Sequence, residues 1–292
     1  MANFNLNSVA LICEFNASVW TARKLDRKES DKVCDGAGAK SKGAARVNKN
    51  LFAGRSELED IGKLVTETRN YVYDNTLPWS DSGQRMLIGA RFPKFDQRVE
   101  DYRDQFNAKV QAFVDIYPTL ITAQAMALGE MFNRSEFPPA SEIAGKFGMT
   151  VGYLPVPSSG DLRVDIGNQA QDELRARLEQ MADQRVNKAM AEVNDRFIAH
   201  LKRMADRLVT DTDSKTGEPV GRRFTESLVS SAFELCDLVN DYNITGDPLL
   251  ALARKTLEDS LAGVTVNTLR EDPIKREAVR STVSSILNRF SI

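Results

Sequence analysis

The sequence predicts a mainly α-helical fold with small β elements, elongated and built on a long-helix hairpin or bundle, and three observations carry that expectation. Apolar residues recur at steps of three and four over most of the chain beyond residue 56. The stretch 169–209 contains neither proline nor glycine. Short β-branched runs gather near the N-terminus and around residues 149–166. With 292 residues, 42% of them hydrophobic and 27% charged, the chain is long enough to bury a substantial core and too apolar for wholesale disorder.

Four regions follow from this texture. Residues 1–55 form a basic head with short strands and a Gly/Ala/Lys loop. The apolar runs at 8–15 and 18–23 read as one or two strands, and Gly36, Gly38 and Gly43 with small residues between them read as a mobile loop leading into a short helix over 44–51. Residues 56–136 are helical. Ser56 and Glu59 make a capping box for a helix over 57–73, and Phe95, Val99, Tyr102, Phe106, Val110, Phe113 and Tyr117 mark a long amphipathic one. Pro118 starts or kinks a further helical stretch, 119–132, that is apolar on most of its surface.

Residues 137–167 change texture: Pro138, Pro139, Pro155 and Pro157 with five glycines predict a short helix over 141–147 and a β-hairpin pairing 149–154 with 162–166. Residues 168–292 hold the long helix and the C-terminal helices. Leu174, Leu178, Met181, Val186, Met190, Val193, Phe197, Leu201, Met204 and Leu208 form a stripe that suits either an intramolecular hairpin or a subunit contact, hence an expected homo-oligomer. Phe224 and Val229 flank Thr225 as a staple around an N-cap, and Asp247-Pro248 and Asp272-Pro273 each offer an N-cap followed by proline.

Several chemistries find little footing. Cys13, Cys34 and Cys236 are odd in number and far apart, and His200 is the single histidine, so neither a disulfide framework nor a zinc site is expected. Gly36-Ala37-Gly38-Ala39-Lys40-Ser41 misses the phosphate-binding loop pattern because Ala39 stands where glycine must precede the lysine. No catalytic set, metal or cofactor is assigned, and His200 reads as structural. The absence of an apolar run of about 20 residues, with no signal-peptide pattern, predicts a cytoplasmic protein that does not enter a membrane.

Charge carries the functional slope. The net charge is −2, yet residues 1–55 hold ten Lys/Arg against five acids. Trp20, Arg23, Lys24, Arg27, Lys28, Lys40, Lys42, Arg46 and Lys49 are the candidate nucleic-acid-binding residues, the cations for phosphates and Trp20 for stacking on an unpaired base of single-stranded DNA or RNA. The alternative is that Trp20 is core and the charges are a solvated face, and Asp26, Glu29, Asp31 and Asp35 interrupt the basic run.

Val19-Trp20-Thr21-Ala22-Arg23-Lys24-Leu25-Asp26, Asn75-Thr76-Leu77-Pro78-Trp79-Ser80-Asp81-Ser82-Gly83-Gln84-Arg85-Met86-Leu87 and Phe147-Gly148 with Val151, Tyr153-Leu154-Pro155-Val156-Pro157 resemble an uncharacterised family of bacteriophages and integrative mobile elements, over most of residues 8–210. Its members tend to be encoded near a MoxR-like AAA+ ATPase and a von Willebrand A-domain protein. The resemblance implies a phage or mobile-element accessory role in a bacterial host and transfers no functional residue. It also frames a rival expectation, an adaptor that binds an AAA+ ATPase or a host defence factor through the acidic helical body.

Overall fold

A computed structural model describes residues 6–157, 168–212, 219–221, 225 and 227–290. It is 68% helical with a small antiparallel sheet, a mainly α protein with small β elements. Strands β1 (Ala10–Ser18), β4 (Leu77–Pro78), β5 (Arg85–Ile88) and β6 (Gly148–Pro155) form one sheet in the order β4-β5-β1-β6. The β1–β5 register runs from Ala10 opposite Ile88 to Cys13 opposite Arg85. Strands β2 (Arg23–Asp26) and β3 (Val47–Asn50) make a second, two-stranded sheet, and β7 (Thr210–Thr212) and β8 (Pro219–Gly221) a third.

Nine α-helices are described: α1 (Arg27–Gly36), α2 (Glu57–Asp74), α3 (Phe92–Leu128), α4 (Ala140–Ile143), α5 (Asn168–Arg207), α6 (Ser227–Tyr242), α7 (Pro248–Leu261), α8 (Val266–Glu271) and α9 (Pro273–Phe290). They group into two compact units that interleave along the chain. One comprises Met1–Cys13, Asn75–Phe92 and Tyr153–Ile292; the other comprises Glu14–Asp74 and Pro93–Gly152.

The larger unit is a helix packing. Ala189, Met190, Val193, Phe197, Leu201 and Met204, on the C-terminal half of α5, share a core with Val229, Cys236 and Val239 of α6, Leu250 and Leu257 of α7, and Val279, Val283 and Ile286 of α9. Leu201 is fully buried there, so this half of the long stripe is an intramolecular contact. The N-terminal half, 168–188, has no fully buried residue, and Met181 is 45% exposed. Helix ends follow local chemistry: Asp247 accepts from the amides of Leu249 and Leu250, Asp272 from those of Ile274 and Lys275, and Gly263 takes φ +69° beyond α7. Arg276 is buried and donates to the carbonyls of Leu269 and Arg270, where the negative end of α8 offsets its charge.

The smaller unit is built on α2 and α3. Glu57, Glu59 and Asp60 load the first turn of α2 with the favoured sign, and Ile61, Leu64, Val65 and Val72 are buried along it. Helix α3 runs through Pro118 in one element and buries Phe95, Val99, Tyr102, Phe106, Phe113 and Tyr117, as the spacing predicts. Its continuation is less central than expected, since Leu120, Ile121 and Gln124 are buried but Met126 is 89% exposed. The helix expected over 44–51 is instead β3, because Val47–Asn50 pairs with β2 and its residues alternate in burial. The expected hairpin partner at 162–166 lies outside the described residues, as do Phe224 of the expected staple and most of the polar turn over 211–222.

Candidate nucleic-acid interface

The basic residues lie on a β2–α1–β3 module of the smaller unit. Its backbone is tied at three places. Asp26 caps α1 by accepting from the Glu29 amide at 3.1 Å. The Ser30 hydroxyl donates to the Asp26 carbonyl at 2.6 Å and accepts from the Val47 amide at 2.9 Å, joining α1 to both strands. The Cys34 thiol donates to the Lys42 carbonyl at 3.6 Å, which draws the α1–β3 loop against the helix. The glycine-rich segment expected to be mobile is thus anchored at its middle and its end.

On this frame Arg23 and Lys24 lie exposed on β2, Arg27 and Lys28 exposed in the first turn of α1, and Lys40, Lys42 and Arg46 exposed on the loop. Among the described residues none of these seven takes part in an ion pair, while Lys32, one turn further along α1, pairs with Glu29 at 2.8 Å. Arg46 and Arg27 each adjoin the last rung of the ladder, Asp26 opposite Val47. Arg27 and Lys28 stand at the helix end where cations are disfavoured, and α1 has no basic residue in its last turn. The charge placement does not serve the stability of α1.

Two of the nine candidates are placed differently. Lys49 sits opposite Lys24 on the β2–β3 ladder but is only 6% exposed. Its ammonium lies 2.7 Å from Glu136 and 3.7 Å from Asp26, and it donates to the Met131 carbonyl at 2.7 Å. Buried and neutralised, Lys49 is withdrawn from the phosphate-binding set and ties β3 to the segment after α3. Trp20 is half-buried, its ring edge-on to Phe52 at 5.6 Å and to Tyr117 at 5.9 Å. Tyr117 itself is fully buried, donates to the Pro138 carbonyl at 2.9 Å, and has its hydroxyl pKa pushed up to about 12 by burial.

Comparisons with protein families, curated proteins and solved structures return no match. The chemistry of the module is therefore read from its own residues. Asn48 lies exposed opposite Leu25 on the ladder, a placement that the helical reading of 44–51 did not give. Elsewhere, His200 is half-buried on α5 with its pKa lowered first by burial and then by Arg203, and the Cys236 thiol is pushed up to about 12 by burial, which holds it as the thiol at neutral pH. Among the described residues no helix is long and apolar enough to cross a membrane.

Proposed function

We propose that this is a non-enzymatic nucleic-acid-binding accessory protein of a phage or mobile element, acting in the cytoplasm of a bacterial host as a homo-oligomer. The observation that supports it is the group of seven exposed cations on one internally tied module, none of them paired with a carboxylate among the described residues. Such charges release counterions from a phosphate backbone while costing the fold little. The long-helix hairpin expected from the sequence belongs to the same proposal, with the N-terminal half of α5 as the assembly surface, because the C-terminal half is already committed to the core of its own unit. Light scattering at micromolar concentration tests the assembly, and a monomer mass removes it.

Binding is tested by fluorescence anisotropy across a salt series. Affinity should fall steeply with salt, and neutralising Lys40, Lys42 and Arg46 together should flatten the log–log slope by roughly two to three units. Absence of salt-sensitive binding to any nucleic acid would sink this reading.

A second reading, an adaptor for an AAA+ ATPase or a host factor, was expected through the acidic helical body, and what favours it is instead an uncharged stretch of α3. No charged residue occurs from Ile116 to Gly129, and Ile116 and Met126 are 40% and 89% exposed. An uncharged exposed face of this kind favours protein over nucleic acid.

A further inference from the structure

We infer that the nucleic acid taken by the β2–α1–β3 module is double-stranded and is read through its phosphates alone. This inference rests on the nucleic-acid reading above and adds the ligand class.

Single strands bound without sequence preference are held by aromatic platforms on which bases stack, and each stacked base accounts for a large share of affinity. None of the module's aromatic side chains lies fully exposed. Between Glu14 and Arg55 the aromatic residues are Phe15, Trp20 and Phe52. Phe52 is 3% exposed, and Trp20 is half-buried, in T-shaped contact with Phe52 and Tyr117. Phe15 is half-buried and lies beneath the Arg69 guanidinium at 5.5 Å. The outward face of the ladder carries Arg23, Leu25, Asn48 and Asn50, which hold no flat ring, and Asn50 already accepts from the Phe52 amide at 3.1 Å.

What the module does offer is charge on a braced backbone. Ser30 ties α1 to both strands and Cys34 ties the loop to α1, while Lys49 fastens β3 from below, so Arg23, Lys24, Arg27, Lys28 and Arg46 issue from backbone of fixed spacing. A fixed array of cations matches a stiff polymer with regular phosphates better than a flexible one. A duplex also carries the higher charge density, with a salt slope of about −0.9 per neutralised phosphate against about −0.7 for a single strand.

The 292-residue chain is titrated against three labelled probes of about 20 nucleotides per strand, long enough for the expected phosphate contacts. These are a duplex, one of its strands, and that strand with its central bases removed to leave abasic sugars. The expected result is duplex binding about tenfold or more tighter than the single strand, the abasic strand within about twofold of the natural one, and Trp20→Phe without effect on any probe. A single strand that binds as tightly as the duplex, or an abasic strand tenfold or more weaker than the natural one, overturns the inference while leaving nucleic-acid binding intact. If no probe binds in a salt-sensitive way, both the inference and the reading beneath it fall.

Discussion

The two units bury different kinds of side chain. The core of Glu14–Asp74 and Pro93–Gly152 is rich in rings: Phe52, Tyr102, Phe106, Phe113, Tyr117 and Phe137 are buried, with Phe132, Phe147 and Trp20 packed against them. The core of the other unit is mostly Leu, Val, Met and Ala on α5, α6, α7 and α9, with Trp79, Phe197 and Tyr242 as its buried aromatics. The difference follows from what is being joined. Regular helices interdigitate aliphatic side chains along ridges, whereas rings reach across the gaps between a long helix and short, irregular segments. The basic module is one of those irregular segments, so its geometry depends on a few large contacts.

The largest expected effect breaks this dependence at Phe52, whose ring lies 5.6 to 5.9 Å from those of Trp20, Phe113, Tyr117 and Phe137. Phe52→Ala should cost about 3–5 kcal/mol by urea unfolding. Leu257→Ala, in the aliphatic core, should cost about 2–5 kcal/mol, nearer the low end where neighbouring helices can close over the cavity. Because Phe52 lies two residues beyond β3, its loss should also weaken duplex binding under conditions where the protein remains folded, an effect Leu257→Ala should lack. Equal binding loss in both variants would argue against rings as the support of the module.

The long helix gives a second comparison within one element. Leu201 and Leu174 share the same stripe, yet Leu201 is fully buried and Leu174 only half so. Leu201→Ala should cost about 2–5 kcal/mol and Leu174→Ala under about 1 kcal/mol, and if the N-terminal half is the assembly surface only the latter should lower the mass by light scattering without unfolding the chain.

These pairs also mark how much was legible in the sequence. Most helices beyond residue 56 were, because caps such as Asp247 and Asp272 and the stripe from Phe95 to Tyr117 are local patterns, whereas α1, with only Ser30 and Cys34 buried among charged residues, was not expected. What distinguishes Leu174 from Leu201 is a tertiary partner, which periodicity does not encode. The β2–β3 pairing escaped for a similar reason: Val47–Asn50 carries one apolar residue, and its partner strand lies across a helix and a loop. Charge counting found the basic head but could not separate Lys49, whose acids arrive from Asp26 and from Glu136, 87 positions further on. The interleaving of the two units is likewise a property of long-range contacts, invisible to a reading along the chain.

Lys24 and Lys49 sharpen the contrast between charge that holds the module and charge that it presents. They face each other across one rung. Lys49→Met should cost about 1–3 kcal/mol, since it leaves Glu136 and Asp26 partly buried without their cation and the Met131 carbonyl without its donor. Lys24→Met should change stability by under about 0.5 kcal/mol and flatten the salt slope of duplex binding by about 0.9 units. Equal loss of stability in the two variants would mean that the exposure of Lys24 does not persist in solution.

The smallest expected effect belongs to the aliphatic unit and concerns His200. Burial, with Arg203 adding to it, lowers its pKa from 6.5, so the folded chain holds this imidazole neutral over a range in which the unfolded chain already protonates it. The unfolded state then binds more protons, and stability must fall as pH drops from 6.5 through the folded-state value, with no contribution from this group above that window. Urea unfolding at neutral and at mildly acidic pH should show this decline, and His200→Gln should remove its share while leaving the remaining acid dependence unchanged. The imidazole proton resonances supply the independent check: a midpoint at or above 6.5 in the folded protein would show that the half-buried ring is solvated after all. Because the group lies on α5 of the aliphatic unit rather than in the ring-rich one, duplex binding by the basic module should be the same for His200→Gln and the parent chain at every pH tested.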